Sequence, residues 1–443
     1  MQIPEIKIGI QTEKEIRFRL NGTFINEQNR HFPKGTYTAR IRNNEILLET
    51  GAQEMIYGEL HLKPENIDTD HFALMNVAIG IGFHWDKKEE QLFSGSFNLI
   101  RSGEKITAIN ILHVEEYLTS VISSEMNANA SSALLKAHAV ISRSWVLAQI
   151  EKRKALRLIK NKMQSTFISE HEMIRWHDRE DHTRFDVCAD DHCQRYQGIT
   201  RASASAAREA VTETRGEVLS YNGKLCDTRF SKCCGGITEL FENTWEPVNH
   251  PYLQRVYDCA NEQPAENFDL TDEETANSWI MSTPEAFCRK ADQKVLVQVL
   301  NDYDLVTHDF YRWEVVYTAK ELGGLIKART GIDFGVILDL VPLQRGVSGR
   351  IIKLKIIGSI KTMVIGKELE IRRTLSKSHL YSSAFVVEKT GDKDNPRFIL
   401  HGAGWGHGVG LCQIGAAVMG AEGYSYHDIL LHYYRGAKVE RRY

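Results

Sequence analysis

The sequence predicts an α+β fold, in which mixed β-rich lobes flank a helical segment, and three observations carry that prediction. Apolar and polar residues alternate at period two between Ile6 and Leu112, the spacing of half-buried strands. At His113 the period changes to that of a helix. From Glu217 onward β-like segments return, mixed with shorter helical stretches.

The elements follow in order. Ile16, Phe18 and Leu20 alternate with polar residues, and Asn21-Gly22, Lys34-Gly35 and Ser102-Gly103-Glu104 punctuate the apolar runs, as in a series of hairpins. Val114, Leu118, Val121 and Ile122 recur at helical spacing, and a second helix runs from about Ser131 to Lys154, with Asn129 or Ser131 as its N-cap. Ile159 to Gly198 is dense in His, Asp and Arg without a period, which predicts a loop-rich excursion held by something other than a core. Ala204 to Val211 is a short helix. Glu217 to Phe230 is β-like, and the acidic Phe268 to Ala276 reads as a connector. Trp279 to Arg329 mixes helix and strand, with Ala319 to Thr330 helical, and Ile337 to Ile371 consists of strands turning at Gly346, Gly349 and Gly366. No internal repeat or low-complexity tract is present.

The chain has 443 residues and a formal charge of −3 from 55 basic and 58 acidic side chains. This length predicts two or three lobes. The mixed-sign charge argues against a dedicated nucleic-acid binder, although Lys152 to Lys162 is locally basic and is either a small anion patch or a solvated helix face. No stretch is apolar for long enough to predict a transmembrane segment, and Met1-Gln2-Ile3-Pro4-Glu5 has neither the basic nor the apolar region of a signal peptide. All eight cysteines lie between Cys188 and Cys412, a clustering unlike a small disulfide framework and more like a local site.

On the first helix the apolar stripe passes through Val114, Leu118 and Val121 and then meets Glu125. Desolvation at a core position, and the C-terminal end of the helix dipole, both favour the protonated carboxyl that a general acid needs. The alternative is a frayed helix end at which Glu125 reaches water. Lys136 and Arg143 lie two turns apart on one side of the second helix. They either hold an anionic or hydroxyl-rich ligand near Glu125 or face solvent.

In the irregular excursion, His182, Cys188, His192 and Cys193 supply two imidazoles and two thiolates within a dozen residues, a sufficient set for tetrahedral zinc. Four protein ligands would leave no open position, so such a metal braces a loop and does not attack substrate; a zinc hydrolase would need that open position. A Cys188 to Cys193 disulfide and free thiols are the alternatives. Cys233 and Cys234 are adjacent, cannot easily bridge each other and have only Lys232 as a neighbouring activating charge, so they do not read as a catalytic thiol. In the tail, glycine alternates from Gly402 to Gly410, with His401 before it and Trp405 and His407 between. In an extended chain those three side chains share a face, suited to stacking on and hydrogen bonding a sugar; the alternative is glycine needed for tight packing.

Three blocks resemble one family in order. Val114 to Met126 with Ala133 to Ser144, then Cys233 to Glu239 with Trp245 and Pro251-Tyr252-Leu253, then Gly404 to Ala416 with Gly423-Tyr424 and Tyr433 to Gly436 are similar to the signature of SpoIID/LytB proteins. Arg345 to Arg350 adds to the match, which covers roughly Phe97 to Lys438. Asn127 stands where a proline often follows the Glu-Met pair, and Cys412 where serine is frequent.

The resemblance implies a SpoIID-like fold with an accessory β lobe at 1–96 and a domain at 97–443. That domain has a core of about 97–260 and 380–443 and an inserted α+β lobe of about 265–375. It also implies a peptidoglycan lytic transglycosylase with Glu125 as catalytic acid/base, and substrate-binding roles for Lys136, Arg143, Trp405, His407 and Gln413. It implies structural zinc on His182, Cys188, His192 and Cys193, with His177 as the substitute for His182, and no organic cofactor. Expected partners are peptidoglycan glycan strands, preferably stripped of stem peptides, and a cell-wall amidase. The family's alternative role is that of a non-catalytic amidase enhancer, and its chemistry lies in the cell envelope.

Overall fold

The structure, a computed structural model, describes residues 2–80, 87–127, 129–156, 165–176, 182–190, 192–200, 205–260, 268–300, 310–391 and 396–443. It is α+β and rich in strand, as the sequence predicts. Two compact units emerge, each assembled from separated stretches: Met1–Arg157 with Glu180–Val218 and Glu440–Tyr443, and Leu158–Arg179 with Leu219–Val439. The units do not divide at residue 96. Strand Glu5–Glu13 pairs antiparallel with Lys105–His113 almost throughout, from Glu5 opposite His113 to Glu13 opposite Ile106, which binds the N-terminal strands to the helical segment.

In the first unit, seven strands run in the order 187–188, 5–13, 105–113, 96–102, 60–64, 24–26 and 31–32, and a six-stranded sheet runs 87–93, 72–79, 15–20, 35–42, 45–50 and 53–57. Side chains from the two sheets meet: Phe97 of one lies edge-on to Phe18 at 4.9 Å and stacked with Phe72 at 4.5 Å, both from the other. Burying alternate residues of each strand between two sheets produces the period-two pattern of the sequence. Strand Lys105–His113 leads directly into helix α1 (Val114–Glu125), followed by α2 (Ser132–Leu156) and α3 (Ser205–Glu213). Ser131 is the N-cap side chain of α2, its Oγ accepting from the Leu134 N–H at 3.3 Å.

The second unit is built on a five-stranded sheet in the order 166–168, 172–175, 362–366, 351–358 and 337–345, and an antiparallel sheet of 312–318, 397–403 and 385–390. Its helices are α4 (Glu273–Met281), α5 (Gln293–Val299), α6 (Ala319–Thr330), α7 (Glu368–Thr374), α8 (Gln413–Ala421) and α9 (Tyr426–Tyr433). Leu322, Ile326, Leu354, Ile356, Ile371 and Leu400 pack in one core. The acidic stretch expected as a connector contains the start of α4: Asp272 accepts from the Thr275 N–H at 2.9 Å as N-cap, and Glu273 and Glu274 occupy the first turn, where the helix dipole favours negative charge. The carboxylates marked a helix start.

The glycine tail also differs from expectation. The strand ends at Ala403, and Gly404, Gly406, Gly408 and Gly410 all have positive φ, between 73° and 101°. It is a left-handed loop, not an extended chain. A Cβ at Gly404 would stand 2.8 Å from the Cys233 carbonyl oxygen, so glycine is needed both for the dihedral and for close backbone packing.

Candidate functional site

Glu125 is the last residue of α1, on the stripe formed by the buried Val114, Leu118, Val121 and Ile122, and only 8% of its surface is exposed. The helix stops there because Met126 turns to extended backbone, its N–H still bonding to the Ile122 carbonyl. The segment Gln194 to Gln197 lies along α1. The Arg195 N–H donates to Glu125 Oε1 at 3.3 Å, the Gln197 N–H to Ser120 Oγ at 3.2 Å and the Tyr117 hydroxyl to Gln194 Oε1 at 3.1 Å. Tyr196 stacks on Tyr117 with centroids 5.3 Å apart and donates to Asn110 Oδ1 at 2.6 Å. One face of the carboxyl is thus set by a backbone donor whose position depends on four neighbouring contacts.

Immediately before that segment, His182, Cys188, His192 and Cys193 converge, with donor atoms all within 4.8 Å of one another. Cys193 Sγ lies 3.4 Å from His182 Nε2 and 3.6 Å from His192 Nδ1, and Cys188 Sγ lies 3.9 Å from His192 Nδ1. With metal–nitrogen bonds of about 2.0 Å and metal–sulfur bonds of about 2.3 Å, tetrahedral neighbours stand roughly 3.5 to 3.8 Å apart, so this donor set has the dimensions to hold zinc. Both cysteines are free, not bridged. His177 lies outside the described residues, as does the basic run from residue 157 onward. A cavity of about 310 Å³ opens beside the knot, lined by Gln11, Gln91, His182, His192 and Tyr196 among others; Glu125 does not line it.

The two cations of α2 are placed differently from expectation. Arg143 is fully buried: Nε donates to Glu115 Oε1 at 3.0 Å, Nη2 to Glu115 Oε2 at 2.7 Å, and the remaining N–H groups to the carbonyls of Ala139, Val211 and Glu217. Its guanidinium ties α1 to α2 and α3 and has no face left for a ligand, which corrects the substrate-binding expectation. Lys136 pairs with Glu213 of α3 and keeps about a quarter of its side chain exposed (24%).

Trp405, His407 and Gln413 belong to the second unit. Trp405 is half-buried, stacked face to face on Phe310 with centroids 4.9 Å apart and edge-on to Tyr381. His407 Nδ1 accepts from the Val409 N–H at 3.0 Å, and its ring also bonds to the backbone of Phe230. Burial first, and the guanidiniums of Arg229, Arg372 and Arg350 next, hold it well below the ordinary imidazole range. His407 keeps part of its surface exposed, whereas Gln413 is buried at the start of α8, where its side chain serves the fold.

The chain matches the family model described as Stage II sporulation protein over residues 102–221, a range that contains α1, α2, α3 and the His/Cys knot. Residues 239–410 match a domain of unknown function, DUF8618. Among similar proteins, an uncharacterized protein of Brachyspira hyodysenteriae is 27% identical over 78% of this chain and 72% of its own. The amidase enhancer of Bacillus subtilis is 26% identical over 91% of this chain, which spans only half (50%) of that protein's length. Stage II sporulation protein D of Bacillus amyloliquefaciens is 25% identical over 75% of each chain. These matches support the resemblance of the chain to the SpoIID/LytB family.

In this protein the later motif blocks form one buried polar network within the second unit. Glu239 is fully buried, accepting from the Ser348 hydroxyl at 2.6 Å and from Asn243 Nδ2 at 2.9 Å, while its own N–H donates to the Gly408 carbonyl at 2.9 Å. Arg350 donates to the carbonyls of Cys234, at 3.2 Å, and Gly406, at 3.1 Å. Sequence reasoning found these segments but not the residues that join them. The available signal was the presence of ionisable side chains inside glycine-rich stretches, which must find partners when buried. Glu115 was missed similarly, because two acids at a helix start read as surface residues.

Proposed function

We propose that this chain acts on the glycan of bacterial peptidoglycan, as a lytic transglycosylase that cleaves the bond between N-acetylmuramic acid and N-acetylglucosamine. The observation that carries the proposal is the position of Glu125, a carboxyl withdrawn from water at a helix end and oriented by the Arg195 N–H. Such a carboxyl is suited to hold a proton for donation. The family match and the amidase-enhancer relative support a role at the cell wall.

In this mechanism Glu125 protonates the bridging oxygen as an oxocarbenium-like transition state develops. The resulting carboxylate then takes the proton of the muramic acid C6 hydroxyl, whose oxygen closes on C1 to give a 1,6-anhydro end. One carboxyl serves as acid and then as base, so a second carboxylate to activate water is unnecessary. Zinc on His182, Cys188, His192 and Cys193 would have a closed coordination sphere and would brace the segment that carries Arg195, with no part in bond cleavage. Of the two α2 cations expected near Glu125, Lys136 keeps part of its side chain exposed and is able to meet an anionic group of the substrate.

A second role is favoured by one specific similarity, the match over 91% of this chain to an amidase enhancer. In that role the protein binds glycan and stimulates a separate amidase. Mass spectrometry of products from purified, peptide-free glycan strands tests the assignment: 1,6-anhydro ends support the transglycosylase, whereas intact strands together with amidase stimulation support the enhancer.

A further inference from the structure

Only two of the eight cysteines belong to the His/Cys knot. In the second unit, three segments far apart in sequence bring Cys233 and Cys234, Cys288 and Cys412 together. The donor atoms of Cys234, Cys288, Cys412 and Asp258 all lie within 4.8 Å of one another, with 3.8 Å between the Cys234 and Cys288 sulfurs. All four residues are buried, Cys412 and Asp258 completely.

The backbone builds this convergence. A short parallel pairing sets Phe230 and Ser231 beside Leu411 and Cys412, which brings the Cys233-Cys234 turn onto the start of α8. Cys412 is the N-cap of α8 and accepts from the Gly415 N–H at 3.4 Å and the Cys234 N–H at 3.2 Å; Cys234 Sγ accepts from the Gly236 N–H at 3.4 Å. Asp258 accepts from the Cys288 N–H at 2.9 Å through Oδ2 and from the Tyr433 hydroxyl at 2.6 Å through Oδ1. Gly415 leaves room for this, since a Cβ there would overlap the Asp258 carboxylate.

We infer that Cys234, Cys288, Cys412 and Asp258 form a second, mononuclear metal site, closed and structural, for a thiophilic divalent ion such as zinc. The 3.8 Å sulfur separation matches the edge expected of a tetrahedron with metal–sulfur bonds of about 2.3 Å. An iron–sulfur cluster distributes its cysteines over several irons, and donors this close leave no space for inorganic sulfide. Buried cysteine by itself is ordinary. Three thiols and a carboxylate meeting at one point, with backbone N–H groups directed at two of the sulfurs, is the arrangement that stabilises metal-bound thiolates. Binding displaces the protons of three thiols to solvent, and the carboxylate completes the sphere. Cys233, buried and adjacent to Cys234 in the chain, is not one of the four converging donors. This ion would lock the Cys233–Gly236 turn, the Phe287–Arg289 turn and the start of α8 together.

The test is a cobalt(II) titration of the purified full chain, reduced and metal-free, following the sulfur-to-cobalt charge-transfer band and the tetrahedral visible bands. Cys412→Ser preserves the N-cap, because a serine hydroxyl accepts the same N–H. It should bind one ion at least ~100-fold more weakly than the unsubstituted chain, a loss at the upper end of that for removing an outer-shell partner. Cys188→Ser with Cys193→Ser should leave that ion in place with its thiolate band, which separates this site from the knot whether or not the knot binds metal. Three results overturn the inference: a Cys188→Ser, Cys193→Ser chain that folds and binds no cobalt, equal affinity in Cys412→Ser, or an intact mass showing a disulfide among Cys233, Cys234, Cys288 and Cys412 in the protein as isolated.

Discussion

Arg143 and Glu115 form a two-pronged ion pair inside the α1, α2 and α3 cluster, with Nε to Oε1 at 3.0 Å and Nη2 to Oε2 at 2.7 Å. Glu115 also accepts from the Tyr443 hydroxyl at 2.6 Å and the Gly216 N–H at 3.3 Å. Glu115→Ala leaves a buried guanidinium without its counter-ion and should destabilise the first unit by about 3 to 5 kcal/mol. Arg143→Met with Glu115→Leu should cost less than Glu115→Ala alone, because no charge is then stranded. Urea unfolding followed by far-ultraviolet circular dichroism compares the variants.

Glu125→Gln should retain the fold, since the amide oxygen can still accept from the Arg195 N–H. A side chain that neither donates a proton at neutral pH nor takes one back should lower the rate of anhydro-product release by at least ~100-fold. Product mass spectrometry beside an unchanged melting temperature checks this. Equal product release by the variant would remove Glu125 from the chemistry.

Loss of the His/Cys knot should act at a distance. On the proposed zinc brace and lytic activity, Cys193→Ser or treatment with a chelator should loosen the segment Gln194 to Gln197 and reduce turnover without removing Glu125. Hydrogen exchange at the Arg195 and Gln197 amides should increase, because both donate to side chains of α1. Faster exchange with full activity would show that the brace and the carboxyl are independent.

Acid should weaken the second unit through His407. Its folded pKa lies well below the ordinary 6.5, so the unfolded chain binds the extra proton first as pH falls. The stabilisation is fully present above about pH 6.5 and declines as pH drops below it toward the folded value. His407→Asn, which keeps an acceptor for the Val409 N–H, should flatten this slope of melting temperature between pH 7 and pH 5. An unchanged slope would assign the acid sensitivity to other groups.

Much of the fold is legible in the sequence because local periodicity reports which faces are buried. The strands before His113, the sharp change into α1, the Ser131 cap and helix Ala319–Thr330 all follow from spacing and capping chemistry. The four-residue knot is equally legible, since its residues lie within twelve positions of one another and a short loop can close on itself. The acidic start of α4 was misread because its carboxylates act as cap and dipole partners, whereas their composition resembles a linker.

By itself, then, the sequence determined the α+β class, the resemblance to one family, the order of the first three helices and the two sets of residues, Glu125 and the His/Cys knot, on which the proposed function rests. Only the tertiary structure decided which of the remaining polar residues face inward. Arg143 goes to Glu115, His407 to Val409 and Phe230, and Asp258 to Cys288 and Tyr433. Some of these partners are far apart in the chain, as are Asp258 and Tyr433 at 175 positions. Chain spacing carries no record of such meetings. A buried charge or thiol takes whichever partner the packed elements deliver, and that is settled by the topology of sheets and helices and not by any local run of residues.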